Sequence, residues 1–366
     1  MRVAIIHPFL FHLARGIERF TYNLANSLTQ RDIEVHLLTW RWDDNVQIDT
    51  LDPRVFVHQI PTSRYYAATA VIPFYFLDLV SQHYDFVWIF FAGYGEAEAL
   101  TLARRQKFGI ILQYPYALVP HRYREFQRYG LAQRAAQIVS VSQFVADGAQ
   151  QAFDRKSIVI PNGVDTGHFQ PYLALRRDQR LTLGFDESDQ VLVTVAALEE
   201  RKGVQRVINA LPLVLSHNPH TKYLVVGEGS YRPQLETQIR NSGLEQVVKL
   251  IGATDDIFPY YNIADVFLLL AYGEALAIAP LEAMAMRLPV IVANQPPFDE
   301  LIEPAYGLRV DEADVHAVSD VIVGLLNDPG RRRAMGEAGR EKILKDFTWG
   351  RVGEQYIQLL NSSITA

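Results

Sequence analysis

The chain has 366 residues, 49% hydrophobic and 21% charged, which suits two folded domains and is too apolar for bulk disorder. It contains no cysteine, so disulfides, thiolate nucleophiles and Cys-bound metal centres are excluded. Residues 1–170 hold 16 Lys and Arg against 15 Asp and Glu, and the rest holds 19 against 26; with no basic excess to neutralise phosphates, nucleic acid is not an expected partner.

The opening run from Val3 to Leu10 contains His7 and Pro8 and lacks a small-residue cleavage site, so it reads as a buried strand and the chain as cytoplasmic. Ile17, Phe20, Leu24 and Leu28 then mark one face of a helix. Val35–Trp40, Asp85–Phe91, Gly109–Gln113 and Gln137–Val141 read as strands, with a helix over Glu96–Gln106. This alternation predicts a parallel sheet with crossover helices.

Turn chemistry at Pro161-Asn162-Gly163, followed by an aperiodic Thr166–Asp178, interrupts the pattern. It restarts with strand Val191–Ala197, helix Val204–His217, strand Lys222–Gly227 and helix Tyr231–Ser242. Strand Val247–Ile251, a short helix near Ile257–Ala264, strand Val266–Leu270, helix Pro280–Met286 and strand Pro289–Val292 complete it. The expected organisation is α/β: two doubly wound Rossmann-like domains facing a cleft, over 1–168 and 169–349, with a helix over about 350–366 packing back on the first.

The most apolar stretch, Val266–Met286, carries Glu274 and Glu282. An acid at a bilayer's centre costs roughly 2.5–3.5 kcal/mol, which argues against a membrane span. Residues His121–Tyr129 mix cations and aromatics, as in a solvated helix or a peripheral contact with anionic lipid headgroups. Gly93-Tyr94-Gly95 follows a late strand and has Glu98 in place of a third glycine, so NAD binding is rejected. No Asp-x-Asp ends a strand and no helix carries paired histidines, so no metal or other cofactor is expected.

The densest local signal is Tyr272–Val292. Glu274 follows a strand and so lies at its carboxyl end, where open α/β sheets bind ligands. Pro280 suits the first position of a helix, which puts Glu282 in the first turn beside free N–H groups that attract an anion. The carboxylates suit sugar and ribose hydroxyls, and the helix terminus suits a diphosphate. The plainer reading is two solvated acids, Glu282 offsetting the helix dipole.

Glu274 and Glu282 together resemble the E-x7-E motif of family-4 retaining glycosyltransferases, which have the GT-B fold. Several other segments are similar to that family in order and spacing. They are Arg15-Gly16-Ile17-Glu18-Arg19, Ile160–Asp165, Lys202-Gly203, Gly227-Glu228-Gly229, Ala264-Asp265-Val266 and the tail Asp328-Pro329 through Phe347-Thr348-Trp349. The resemblance implies that Glu282 accepts from ribose hydroxyls, Glu274 holds the donor sugar and Lys202 neutralises the donor diphosphate. It further implies a backbone approach to the donor at Gly16, while Gly227 and Gly229 belong to the donor site chiefly as turn residues.

The chain departs from the family pattern in several places. Ala196-Ala197-Leu198 stands where the family has Gly-Arg-Leu, leaving Arg201 as the candidate second phosphate cation. Ala275-Leu276-Ala277-Ile278 replaces Gly-Phe-Gly-Leu, adding methyl groups where Ala277 and Ile278 would approach the donor. Pro296-Pro297 replaces a Gly-Gly, and Tyr114-Pro115-Tyr116 occupies the place of the acceptor-side histidine, with His12 on the first loop as its candidate replacement. The expected function is a metal-independent retaining transferase moving a sugar from a nucleotide-diphosphate sugar to a glycan, lipid-linked or small-molecule acceptor. The alternatives are a GT-B protein that binds a nucleotide sugar or a partner transferase with little turnover, and a sugar-nucleotide epimerase.

Overall fold

A computed structural model describes residues 1–7, 16–41, 51–61, 84–91, 107–112, 130–254 and 256–365. His12, Gly93–Gly95, Glu96–Gln106, Tyr114–Tyr116 and His121–Tyr129 lie outside the described residues. The chain divides into two compact units, Met1–Gly163 with Trp349–Ala366, and Val164–Thr348.

The first unit contains β1 (Arg2–Ile6), β2 (Glu34–Arg41), β3 (Phe56–Pro61), β4 (Phe86–Phe91), β5 (Phe108–Leu112), β6 (Gln137–Ser140) and β7 (Ile158–Val159). They form a parallel sheet in the order β3-β2-β1-β4-β5-β6-β7. Helix Gly16–Thr29 follows β1 and buries Phe20, Leu24 and Leu28, three of the four residues that marked its apolar face. The final helix, Trp349–Thr365, returns to this unit and presents Val352, Tyr356 and Leu360 at i, i+4 spacing to the same core. Trp88 of β4 meets the Tyr356 ring edge-on at 5.3 Å between centroids.

The second unit contains β8 (Gln190–Val195), β9 (Thr221–Val226), β10 (Val248–Gly252), β11 (Val266–Leu269), β12 (Val290–Ala293) and β13 (Gly307–Val310). Their order is β10-β9-β8-β11-β12-β13, again with parallel neighbours. The period-2 alternation sends Val191, Val193, Phe267 and Leu269 to the core on one face. Leu192, Val266 and Leu268 go to the core on the other. Burial on both faces explains why these strands read as continuous apolar runs.

The division falls at Gly163/Val164, a little ahead of the 168/169 boundary, and at Thr348/Trp349. Val164 bridges Thr348 in parallel, and its N–H donates to the Phe347 carbonyl at 2.7 Å, so residues 164–168 already belong to the second unit. The stretch read as aperiodic contains the helix Leu173–Thr182. Arginines rather than an apolar stripe dock this helix. Arg176 and Arg180 each donate to Asp265 at 2.8 Å, and Arg180 is buried. A search for hydrophobic period cannot see such an attachment. Among the described residues no helix is long and apolar enough to cross a membrane.

Candidate active site

The strand order of the second unit reverses between β8 and β11, and the connections after these two neighbours carry Lys202 and Glu274 respectively. Such a switch point leaves a crevice at the carboxyl ends of the strands, because the two connections run to opposite faces.

After β8 the chain makes a short helical turn over Glu200–Lys202 and reaches Gly203 at φ +76°. A Cβ at Gly203 would lie 2.0 Å from the Leu270 carbonyl oxygen, so this turn needs glycine for its conformation and for its close approach to the end of β11. Two further bonds join the same segments. Tyr272 N–H donates to the Arg201 carbonyl at 3.0 Å, and Arg206 Nη1 donates to the Leu270 carbonyl at 2.8 Å. Arg206 also lies over the Tyr272 ring and stands 3.5 Å from Glu312, which accepts a hydrogen bond from Gln295.

Glu274 is thereby brought against both basic residues. Lys202 Nζ and Arg201 Nη1 each donate to Glu274 Oε1 at 2.7 Å, and Arg201 Nε donates to Glu199 Oε2 at 2.7 Å. The side chains of Glu274 and Lys202 are 10% and 14% exposed, that of Arg201 34%. Reduced solvation strengthens these attractions relative to open water.

Glu282 lies on helix Ile278–Ala285 and is buried. The helix begins at Ile278, two residues before Pro280, with Ala277 extended at its N-cap. Pro280 is therefore the third helical residue and Glu282 lies beyond the first turn, which corrects the first-turn placement. Proline is still tolerated there, since the opening N–H groups have no acceptor within the helix. The correction also removes the helix dipole as the explanation for Glu282, because that effect is confined to the first turn. Tyr261 Oη donates to Glu282 Oε2 at 2.9 Å. Tyr261, Arg206 and Glu312 went unnoticed in the sequence, where only their tertiary contacts distinguish them from ordinary residues.

Gly227 and Gly229 follow β9. A Cβ at Gly227 (φ +139°) would lie 2.0 Å from the Ala196 carbonyl oxygen, and one at Gly229 would lie 2.3 Å from that of Leu198. These glycines let the turn cross the Ala196–Leu198 segment, and Leu198 N–H donates to the Glu228 carbonyl at 2.9 Å. Ala197 is exposed on that segment. Gly16 opens the helix of the first unit, and His12 is outside the described residues. Among the described residues, no cluster of three or more His, Asp or Glu side chains is arranged to hold a metal ion.

The family models "Glycosyl transferases group 1" and "Glycosyltransferase Family 4" match residues 176–342 and 14–168, together most of the chain. A GDP-mannose-dependent monoacylated alpha-(1-6)-phosphatidylinositol monomannoside mannosyltransferase of Corynebacterium glutamicum is 34% identical over 56% of this chain and 55% of its own length. A GDP-mannose-dependent alpha-(1-6)-phosphatidylinositol monomannoside mannosyltransferase of Mycolicibacterium smegmatis is 31% identical over 61% of this chain and 62% of its own. The chain thus matches little more than half the length of these relatives. In fold, it is similar to the Anabaena protein HepE in complex with UDP-glucose, with a TM-score of 0.85 at 18% identity over 99% of this chain and 100% of that one. Sucrose-phosphate synthase from Thermosynechococcus elongatus gives a TM-score of 0.84 at 19% identity over 100% and 99% of the two chains. The class defined is the GT-B glycosyltransferase fold, with two parallel-sheet Rossmann-like units. Within it, the chain belongs to the family-4 glycosyltransferases.

Proposed function

We propose that this chain is a retaining glycosyltransferase that takes a hexose from a nucleotide-diphosphate sugar and passes it to a glycan or lipid-linked acceptor, without a metal. The observation that carries the reading is the convergence of Lys202, Arg201 and Glu274 where the sheet order reverses. Lys202 and Arg201 supply positive charge for the diphosphate, and Glu274 and Glu282 supply acceptors for sugar and ribose hydroxyls. As the glycosidic bond breaks, negative charge grows on the departing diphosphate. Fixed cations and the backbone N–H groups opening helix Ile278–Ala285 stabilise that charge without reorganising.

The GDP-mannose dependence of the two mannosyltransferase relatives supports GDP-mannose as the first donor to test, and a phosphatidylinositol monomannoside as the first acceptor. Ala197, standing where the family carries an arginine, favours a second reading: binding of the nucleotide sugar with little turnover. Incubation with GDP-mannose or UDP-glucose and the acceptor distinguishes the two. Release of nucleoside diphosphate together with an α-linked product supports transfer. Donor binding without release supports the second reading.

A further inference from the structure

Lys202 Nζ and Arg201 Nη1 converge on a single atom, Glu274 Oε1, each at 2.7 Å. Glu199 neutralises Arg201 from its other side, through Nε. Two cations and two carboxylates leave this cluster with no formal charge. While Glu274 holds both cations, an incoming diphosphate meets a neutral cluster and a carboxylate that repels it, in a setting where water screens poorly.

We infer that Glu274 competes with the diphosphate for Arg201 and Lys202, and that this competition makes the site discriminate the intact nucleotide sugar from the spent nucleoside diphosphate. The inference rests on the donor-site reading above. When an intact donor draws the cations away, its sugar hydroxyls replace them as hydrogen-bond donors to Glu274. A nucleoside diphosphate offers no such hydroxyls, and its terminal phosphate carries additional negative charge. Glu274 then loses its cations with nothing in exchange, in a site where a buried carboxylate without donors is costly. The site consequently holds its substrate more firmly than its own product, which favours product release after each transfer.

Calorimetric titration of GDP, GDP-mannose, UDP and UDP-glucose, without acceptor, tests this on the wild-type chain and on Glu274→Gln, Glu274→Asp and Glu200→Gln. Glutamine retains the shape and can still hydrogen-bond a sugar, but it no longer neutralises the cations. Glu274→Gln is expected to bind the nucleoside diphosphate about tenfold more tightly, the scale of a charge-assisted hydrogen bond, while affinity for the intact donor changes less. The ratio of the two dissociation constants therefore falls. Glu274→Asp, which keeps the charge and shortens the reach by one methylene, shifts the ratio the same way and carries the test if the glutamine variant does not fold. Glu200 is exposed on the same turn, and Glu200→Gln leaves the ratio unchanged. Equal tightening in Glu200→Gln overturns the competition in favour of a general charge effect. Unchanged or weaker diphosphate binding in both Glu274 variants overturns it while the donor-site reading stands. If neither wild type nor any variant binds any of the four nucleotides, the donor-site reading falls and this inference with it.

Discussion

Tyr261 Oη donates to Glu282 Oε2 at 2.9 Å, and both residues are buried. A buried carboxylate needs donors, and this one helps hold the Glu282 side chain in the position from which it is proposed to accept from a ligand. Tyr261→Phe removes the hydroxyl and little volume. It should weaken nucleoside diphosphate binding by about three- to tenfold, from the net worth of one hydrogen bond. Glu282→Ala should weaken it further, and calorimetry on both variants measures the difference. Wild-type affinity in Glu282→Ala would remove this residue from the site.

Arg206 ties the two connections of the site together: it sits on helix Val204–His217, within the connection after β8, and bonds the end of β11 at Leu270. Arg206→Met keeps much of the aliphatic packing and loses the bond. The expected outcome is a fall of about tenfold in kcat/KM with the donor, as Glu274 loses its alignment with Lys202. The melting temperature should move by only a few degrees. Loss of stability with unaltered kcat/KM would limit Arg206 to a structural role.

Two glycines of the second unit should respond oppositely to alanine. At Gly203 the left-handed backbone and the Leu270 carbonyl, 2.0 Å from an added Cβ, both oppose the change. Gly203→Ala should destabilise by at least about 1–3 kcal/mol, the range for strained backbone. Gly324 lies within helix Val315–Leu326, and an added Cβ there meets nothing within 4 Å. Gly324→Ala should stabilise by about 1 kcal/mol, the helix-propensity difference. Urea unfolding of the two variants beside wild type provides the comparison.

His7 at the end of β1 is buried, with Nδ1 2.8 Å from Thr21 Oγ1, and burial lowers its pKa from 6.5 to about 3. Between these values the unfolded chain binds a proton that the folded chain refuses. The folded state should therefore lose stability as pH falls from 6.5 towards 3, at up to about 1.4 kcal/mol per pH unit from this group. His7→Asn should flatten that part of the pH profile, measured by urea unfolding at pH 6.5, 5.5 and 4.5. An unchanged slope would mean that His7 ionises as readily in the folded state as in the unfolded one.

The two parallel-sheet units and their principal strands are legible in the amino-acid sequence alone. A strand buried on both faces must be apolar almost throughout, and β8, β9, β11 and β12 are legible for that reason. The sequence also singled out Glu274, Glu282 and Lys202 as candidates, because their spacing relative to those strands follows a family pattern. Helix Leu173–Thr182 was not legible, since its attachment runs through Arg176 and Arg180 to Asp265, some 85 to 89 residues away along the chain. Nor was the true start of helix Ile278–Ala285 legible, because proline fits any position of the first turn and does not mark the first residue. Only the tertiary structure brought Arg201 and Lys202 together on one oxygen of Glu274 and placed Tyr261 on Glu282. Those relationships arise where the sheet reverses its strand order and sets the ends of β8 and β11 side by side, a proximity that linear spacing does not encode.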